Sequence, residues 1–265
     1  MKATLYALLN RQKHHPQDAQ HPLRQKTPHQ LVPFFEITKP SEYDSLFLDG
    51  TSRIFGCHFP IGCLPKSVTE EDGSANIKIV YFCRDIKDTF TSLFHFSNNI
   101  GLRSSPISLE EAFHLFCKGT NSAGPIWDQI LGYWKESLER PNKVLFMRYE
   151  ELKSEPHAQL RRLAQFLGRP FTPEEENMEM VDQITSLCSF GSMSKLQVNS
   201  TGNLLPGVSN SSFFRNGQVG EGNKCLTPEM AAKLDQITLE KFRGSGLKLL
   251  YIIITYLHYG QKYRI

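Results

Sequence analysis

No stretch of this 265-residue chain stays apolar long enough to cross a bilayer as a helix. The run Leu249 to Leu257 is too short, which argues against a membrane partner. The apolar N-terminal segment meets Arg11, Gln12 and Lys13 with no small-residue cleavage site, so no signal peptide is expected. Strong charge is missing too. A formal net charge of +3 leaves no footprint for nucleic acid, although a local basic pocket for a small anion fits it equally well. Cysteines are few, at positions 57, 63, 83, 117, 188 and 225, and no two form a C-x-x-C pair. They read as reduced, mostly buried thiols of a reducing compartment, which places the chain in the cytoplasm. His58 lies near Cys57 and Cys63, but no second ligand pair has zinc spacing, so no metal is implied. The histidines at 14, 15, 21 and 29 fall in a polar stretch, His14 to Pro33, that reads as solvated loop. Repeats and low-complexity segments are absent, and so is any G-x-x-x-x-G-K-[ST], which argues against an NTPase. With 40% apolar residues the chain can bury the core of one large α/β domain.

The most informative stretch present runs from Lys78 to Phe96. Ile79 to Cys83 is continuously apolar, the pattern of a parallel strand buried on both faces. Asp85 can cap a helix, and Asp88 puts a second carboxylate in its first turn. Ile86, Phe90, Leu93, Phe94 and Ile100 then share a helical face. Arg84 therefore leaves the carboxyl end of a strand, and Ser92 lies two turns into the following helix. Open α/β sheets bind ligands in the crevice outside those strand ends, and an arginine there offers fixed donors suited to a phosphate. The competing reading of Arg84 is a surface ion pair with Asp85 or Asp88.

Around this stretch the chain reads as a short helix over residues 2–13, with Leu5, Leu8 and Leu9 inward, and a short strand over Ser52 to His58. Helices follow from the Ser108 cap and from Gly124-Pro125, where Trp127, Tyr133 and Trp134 read as core. Lys143 to Arg148 is a second buried-strand pattern running straight into Tyr149 and a helix. Thr227-Pro228 starts a late helix, with Thr as cap and Pro at its first position.

These segments closely resemble the cytosolic sulfotransferases, most of all the plant flavonol-type branch. Pro33-Phe34-Phe35-Glu36 is similar to the family's V-P-F-L-E. Cys57-His58-Phe59-Pro60-Ile61-Gly62-Cys63-Leu64-Pro65 is similar to T-H-x-P-x-x-x-L-P, with Cys57 in place of the usual Thr. Gly124 to Trp134 follows G-P-x-W-x-H-x-L-x-Y-W with Gln129 at the histidine. Lys143 to Lys153 follows V-L-F-L-x-Y-E-E-L-K. Arg215-Asn216-Gly217-Gln218-Val219-Gly220-Glu221-Gly222 matches R-K-G-x-x-G-D-W, with Asn216 replacing the lysine and Glu221-Gly222 replacing Asp-Trp.

The resemblance implies a three-layer α/β fold, a parallel sheet flanked by helices, in a single domain over residues 1–247 followed by an atypical apolar tail, 248–265. It implies transfer of a sulfonate from 3′-phosphoadenosine 5′-phosphosulfate to the hydroxyl of a small flavonoid, steroid or hydroxy-acid acceptor, by a monomer or homodimer. His58 takes the place of the catalytic base; an imidazole with pKa near ~6.5 suits that task. Arg84, Ser92, Arg215, Asn216 and Gly217 fall where the family holds the 3′-phosphate. Tyr149, Ser189 and Phe190 fall where it contacts the adenosine. The family also opens with a strand and the loop T-Y-P-K-S-G-T-T-W, which holds the 5′-phosphosulfate at a helix N-terminus. Met1-Lys2-Ala3 aligns inside the helix after that loop, and no P-K-S-G-T-T occurs anywhere in the sequence. An N-terminally incomplete domain, nearly inactive as written, is therefore expected. The rival reading is a non-catalytic nucleotide-binding or interaction protein derived from the same fold.

Overall fold

The structure, a computed structural model, describes residues 1–42, 52–69, 77–100, 105–120 and 124–249. The first helix, α1, is shorter than its expected span, Lys2–Leu9, because Asn10 closes it by donating its side-chain amide and backbone N–H to the Tyr6 carbonyl. The strand Ile79–Cys83 (β1) is present, and it pairs in parallel with Val144–Arg148 (β2), Cys83 lying opposite Arg148. Parallel neighbours need a long crossover. Here it contains three helices, Ile86–Asn99 (α2), Leu109–Cys117 (α3) and Ile126–Glu139 (α4). After β2 come Tyr149–Ser154 (α5), Pro156–Phe166 (α6), Met180–Leu187 (α7), Phe190–Ser194 (α8), Gly222–Cys225 (α9) and Pro228–Lys241 (α10). The cap residues act as their types predict. Asp85 accepts from the Lys87 and Asp88 amides, Ser108 from Glu111, and Thr227 from Met230 ahead of Pro228.

Side chains alternate across a strand, so the β1–β2 pair feeds two cores. Val80, Phe82, Leu145 and Met147 pack with α1, α6 and α7. Ile79, Tyr81, Cys83, Val144 and Phe146 pack with α2, α3, α4 and α10. This is the expected three-layer α/β arrangement. Among the described residues the parallel sheet has two strands. β2 is buried along four of its five residues, whereas β1 is only half-buried except at Cys83. The expectation of a strand buried on both faces fails for β1: among the described residues its one strand neighbour is β2, and Tyr81 and Phe82 border a cavity.

Three other expectations are corrected. Ser52 to His58 is not a strand; it makes one isolated parallel bridge, Gly56 to Phe34, because its strand-like partner among the described residues is the short segment Pro33–Phe35. The thiols are all free, but only Cys83 is buried, and Cys57 and Cys63 are exposed because the irregular loop that carries them faces solvent. The stretch 14–33 is not a purely solvated loop. His21 and Leu23 are buried in it, with His21 edge-on to Tyr6 at 6.3 Å. Leu247 and Leu249 belong to the core beside α10. Residues 250–265 of the expected tail lie outside the described residues. No helix among the described residues is long and apolar enough to cross a membrane.

One buried imidazole and one half-buried one are expected to make the fold sensitive to acid. Burial, helped by the charges of His14 and Arg24, pushes His21 down to about 4. Burial also pushes His29 down to about 3. In the unfolded chain both titrate near ~6.5. Between those values the unfolded state binds the extra protons, so stability is full above pH ~6.5 and is lost as pH falls. The melting temperature is expected to fall already between pH ~6.5 and 5, above the usual carboxylate range. A His21→Gln, His29→Gln variant should lose that slope; an identical slope in parent and variant would reject this origin.

Candidate active site

The carboxyl ends of β1 and β2 set the geometry. Because Cys83 and Arg148 are in register, the next residues on each strand, Arg84 and Tyr149, lie side by side. The Arg84 guanidinium sits 4.5 Å above the Tyr149 ring, a cation–π contact. It donates through Nη2 to Asp88 Oδ2 at 2.9 Å and to the Gln218 carbonyl. The ion pair with Asp88 foreseen as a competing reading is thus present, but it does not consume the arginine. Its Nε is buried with no hydrogen-bond partner, an orphaned donor that an anion would satisfy.

The glycine-containing loop comes down onto this pair. Tyr149 donates its hydroxyl to the Gly217 carbonyl at 2.6 Å. Gly217 has φ of 64°, and a Cβ there would lie 2.4 Å from the Phe190 ring, so both backbone conformation and space demand glycine. Arg215 lies 3.5 Å from Glu221, whose carboxyl is held below its usual range by hydrogen bonds from Lys224 and Asn216. Burial, and after it the charge of Arg215, lowers His95 towards the end of α2. Ser189 caps α8, accepting from the Ser192 amide, and so brings Phe190 to Gly217.

His58 stands in the irregular loop before Pro60, and its surroundings hold it from three directions. Gln129 of α4 donates to the His58 carbonyl at 2.7 Å, and Tyr133 donates to the Phe59 carbonyl at 2.7 Å. Glu36 places Oε1 2.5 Å from Nδ1. Phe34 stacks on the ring with centroids 5.0 Å apart. A carboxylate on Nδ1 fixes the proton there and leaves the Nε2 lone pair for a substrate. Phe34 stacks in turn on His29, which contacts Phe213, and Phe213 meets Phe96, so an arc of rings flanks His58. Lys2 lies over Phe34 with Nζ 3.2 Å from the ring centroid, and burial pushes its amine down to about 7.

One cavity of about 890 Å³ is lined by His58, Arg84, Ser92, Tyr149, Ser189, Phe190, Arg215, Asn216 and Gly217. Every residue singled out from the sequence therefore reaches the same space. Sequence reading missed the roles of Glu36 and Lys2; Glu36 was visible in Pro33–Glu36, but nothing local ties it to a histidine 22 residues on. The donor set fits a nucleotide carrying a phosphate: an orphaned guanidinium donor, a second arginine, a close-approach glycine and two rings. Among the described residues no cluster of His, Cys, Asp and Glu is arranged to hold a metal ion.

Comparison with known proteins agrees with this geometry. The sequence model described as Sulfotransferase domain matches residues 1–246. Cytosolic sulfotransferase 8 of Arabidopsis thaliana is 46% identical over 253 residues, covering 94% of this chain and 74% of the relative. Cytosolic sulfotransferase 5 of the same plant is 43% identical over 252 residues, covering 94% and 77%. A crystal structure of an Arabidopsis thaliana sulphotransferase superposes with a TM-score of 0.67 at 35% identity, over 93% of this chain and 72% of that one. Mouse sulfotransferase SULT7A1, solved with PAP, shares the fold, with a TM-score of 0.67 at 24% identity, over 81% and 74% of the two chains. With its strand-end arginine, its glycine loop and a match along nearly its whole length, the chain belongs to the sulfotransferase family and is a transferase.

Proposed function

We propose that the chain transfers a sulfonate from 3′-phosphoadenosine 5′-phosphosulfate to the hydroxyl oxygen of a small acceptor, the new S–O bond replacing the one to the 5′-phosphate as 3′-phosphoadenosine 5′-phosphate leaves. The observation that carries this is the single cavity shared by His58 and the Arg84–Tyr149–Gly217 cluster. The nucleotide supplies the activated sulfonate. Arg84, Ser92, Arg215, Asn216 and the Gly217 backbone hold its 3′-phosphate; Tyr149, Ser189 and Phe190 receive the adenosine. His58, with Glu36 on Nδ1, accepts the acceptor's hydroxyl proton at Nε2 and so raises its nucleophilicity. The rings of Phe34, Phe96 and Phe213 line the same cavity and favour an acceptor with an apolar face, such as a flavonoid, a steroid or the hydrocarbon part of a hydroxy acid. One domain, residues 1–247, carries the activity in the cytoplasm as a monomer or homodimer, in keeping with the naming of its relatives as cytosolic.

A second reading is nucleotide binding without turnover. Two measurements separate the readings. Calorimetry with 3′-phosphoadenosine 5′-phosphate is expected to show binding at one site per chain; no binding would reject both. Labelled sulfonate appearing in an acceptor, lost in a His58→Ala variant that still binds the nucleotide, supports the transferase. Turnover that survives His58→Ala would remove His58 from the chemistry.

A further inference from the structure

We infer that Asp88 is the positioning residue of the nucleotide cradle, holding the 217–222 loop and Arg84 in their ligand-ready places without touching the ligand. The inference rests on the nucleotide reading above. An acidic residue in a first helical turn ordinarily faces water and serves the helix dipole. Asp88 is instead 1% exposed. A buried carboxylate is costly unless its oxygens are matched by donors. Here Oδ2 accepts from Arg84 Nη2 at 2.9 Å and from the Gly220 amide at 2.9 Å, while Oδ1 accepts from the Gly222 amide at 2.7 Å. One carboxylate thus joins the end of β1, the first turn of α2 and a loop more than 130 residues away.

The loop is shaped to reach it. Gly220 has φ of 84°, which turns its amide inward. A Cβ on Gly222 would lie 2.5 Å from Lys87 Cβ and 3.0 Å from the Asp88 amide, so only glycine lets α9 approach α2 this closely. With Tyr149 on the Gly217 carbonyl and Arg84 on the Gln218 carbonyl, four backbone groups of the loop are tied down. The same carboxylate anchors Nη2 of Arg84 and leaves its buried Nε unpaired. Preorganised donors cost no reordering when the ligand arrives, and that is what a positioning residue contributes.

The test compares the parent, Asp88→Asn and Gly222→Ala by calorimetry with 3′-phosphoadenosine 5′-phosphate and by amide hydrogen exchange. Asp88→Asn replaces one acceptor by a donor facing donors, so affinity is expected to fall roughly tenfold or more. Exchange should speed up in 217–222 while β1 and β2 stay protected. Gly222→Ala, which leaves the carboxylate intact but pushes α9 away, should weaken binding with the same local exchange pattern. If Asp88→Asn does not fold, Gly222→Ala decides alone. Parent-like affinity in a folded variant would overturn the role of Asp88 and leave the nucleotide reading standing. Weaker binding with exchange raised throughout the sheet would also overturn it, as a general stability effect. A parent that binds no nucleotide overturns the nucleotide reading itself, and this inference with it.

Discussion

Arg84→Ala is expected to weaken binding of 3′-phosphoadenosine 5′-phosphate by roughly 10- to 100-fold, the range set by losing one hydrogen bond between charged groups at ~1.5–3 kcal/mol. The fold should lose much less. Asp88 keeps the Gly220 and Gly222 amides when the guanidinium is gone, so its charge is not stranded. Tyr149 keeps its bond to the Gly217 carbonyl. Arg84→Lys should fall between parent and alanine, since lysine restores charge but not the rigid fork that reaches Asp88, Gln218 and a phosphate together. Calorimetry paired with thermal unfolding reads both quantities. Alanine and parent binding with equal affinity would exclude Arg84 from phosphate recognition.

Joining the family's strand and P-K-S-G-T-T loop to Met1 is expected to raise turnover of the 265-residue polypeptide by roughly two orders of magnitude or more, because removing a single preorganised oxyanion donor already costs ~2.7–4 kcal/mol. The residues described above account for the 3′-phosphate, the adenosine and the acceptor's proton. None of the roles proposed above is for the leaving 5′-phosphate. Misplacement of the reacting sulfur would lower the rate further. Single-turnover assays of both polypeptides, with flavonoid, steroid and hydroxy-acid acceptors, measure the difference. A 265-residue polypeptide already turning over at ~1 s⁻¹ or faster, within the usual enzyme range, would mean that another segment cradles the phosphosulfate.

The parts of this architecture that were legible in the sequence are those with local causes. Ile79 to Cys83 is apolar without interruption, Asp85 and Ser108 are caps by side-chain type, and Thr227-Pro228 is a helix start by both. Tyr149 could be placed because β2 runs into its helix with no intervening loop. What failed depended on partners distant in the chain. Ser52 to His58 has a strand's composition, yet a strand needs a continuous neighbour, and among the described residues it meets one at a single bridge to Phe34. The six cysteines read together as mostly buried thiols, but no sequence pattern reports which way the irregular loop carrying Cys57 and Cys63 turns. Asp88 was readable as a dipole partner and not as a clamp, since both glycine amides it accepts from lie beyond residue 219. Glu36 behaves the same way: its link to His58 exists only because the Phe34–Gly56 bridge lays two loops together.

The one-to-one register of β1 with β2 has a consequence for how length can vary in relatives of this chain. Arg84 and Tyr149 meet because each follows its strand by one residue, with Cys83 facing Arg148. An insertion or deletion of one residue within either strand would turn the side chains beyond it to the opposite layer. A change of two residues would restore the face but displace the end by about 6–7 Å. Either change would separate guanidinium from ring while leaving a sheet that still pairs and still packs. Length changes should therefore collect in the connections joining α2, α3 and α4, where an added residue moves neither strand end, and be excluded from the ten residues of the two strands.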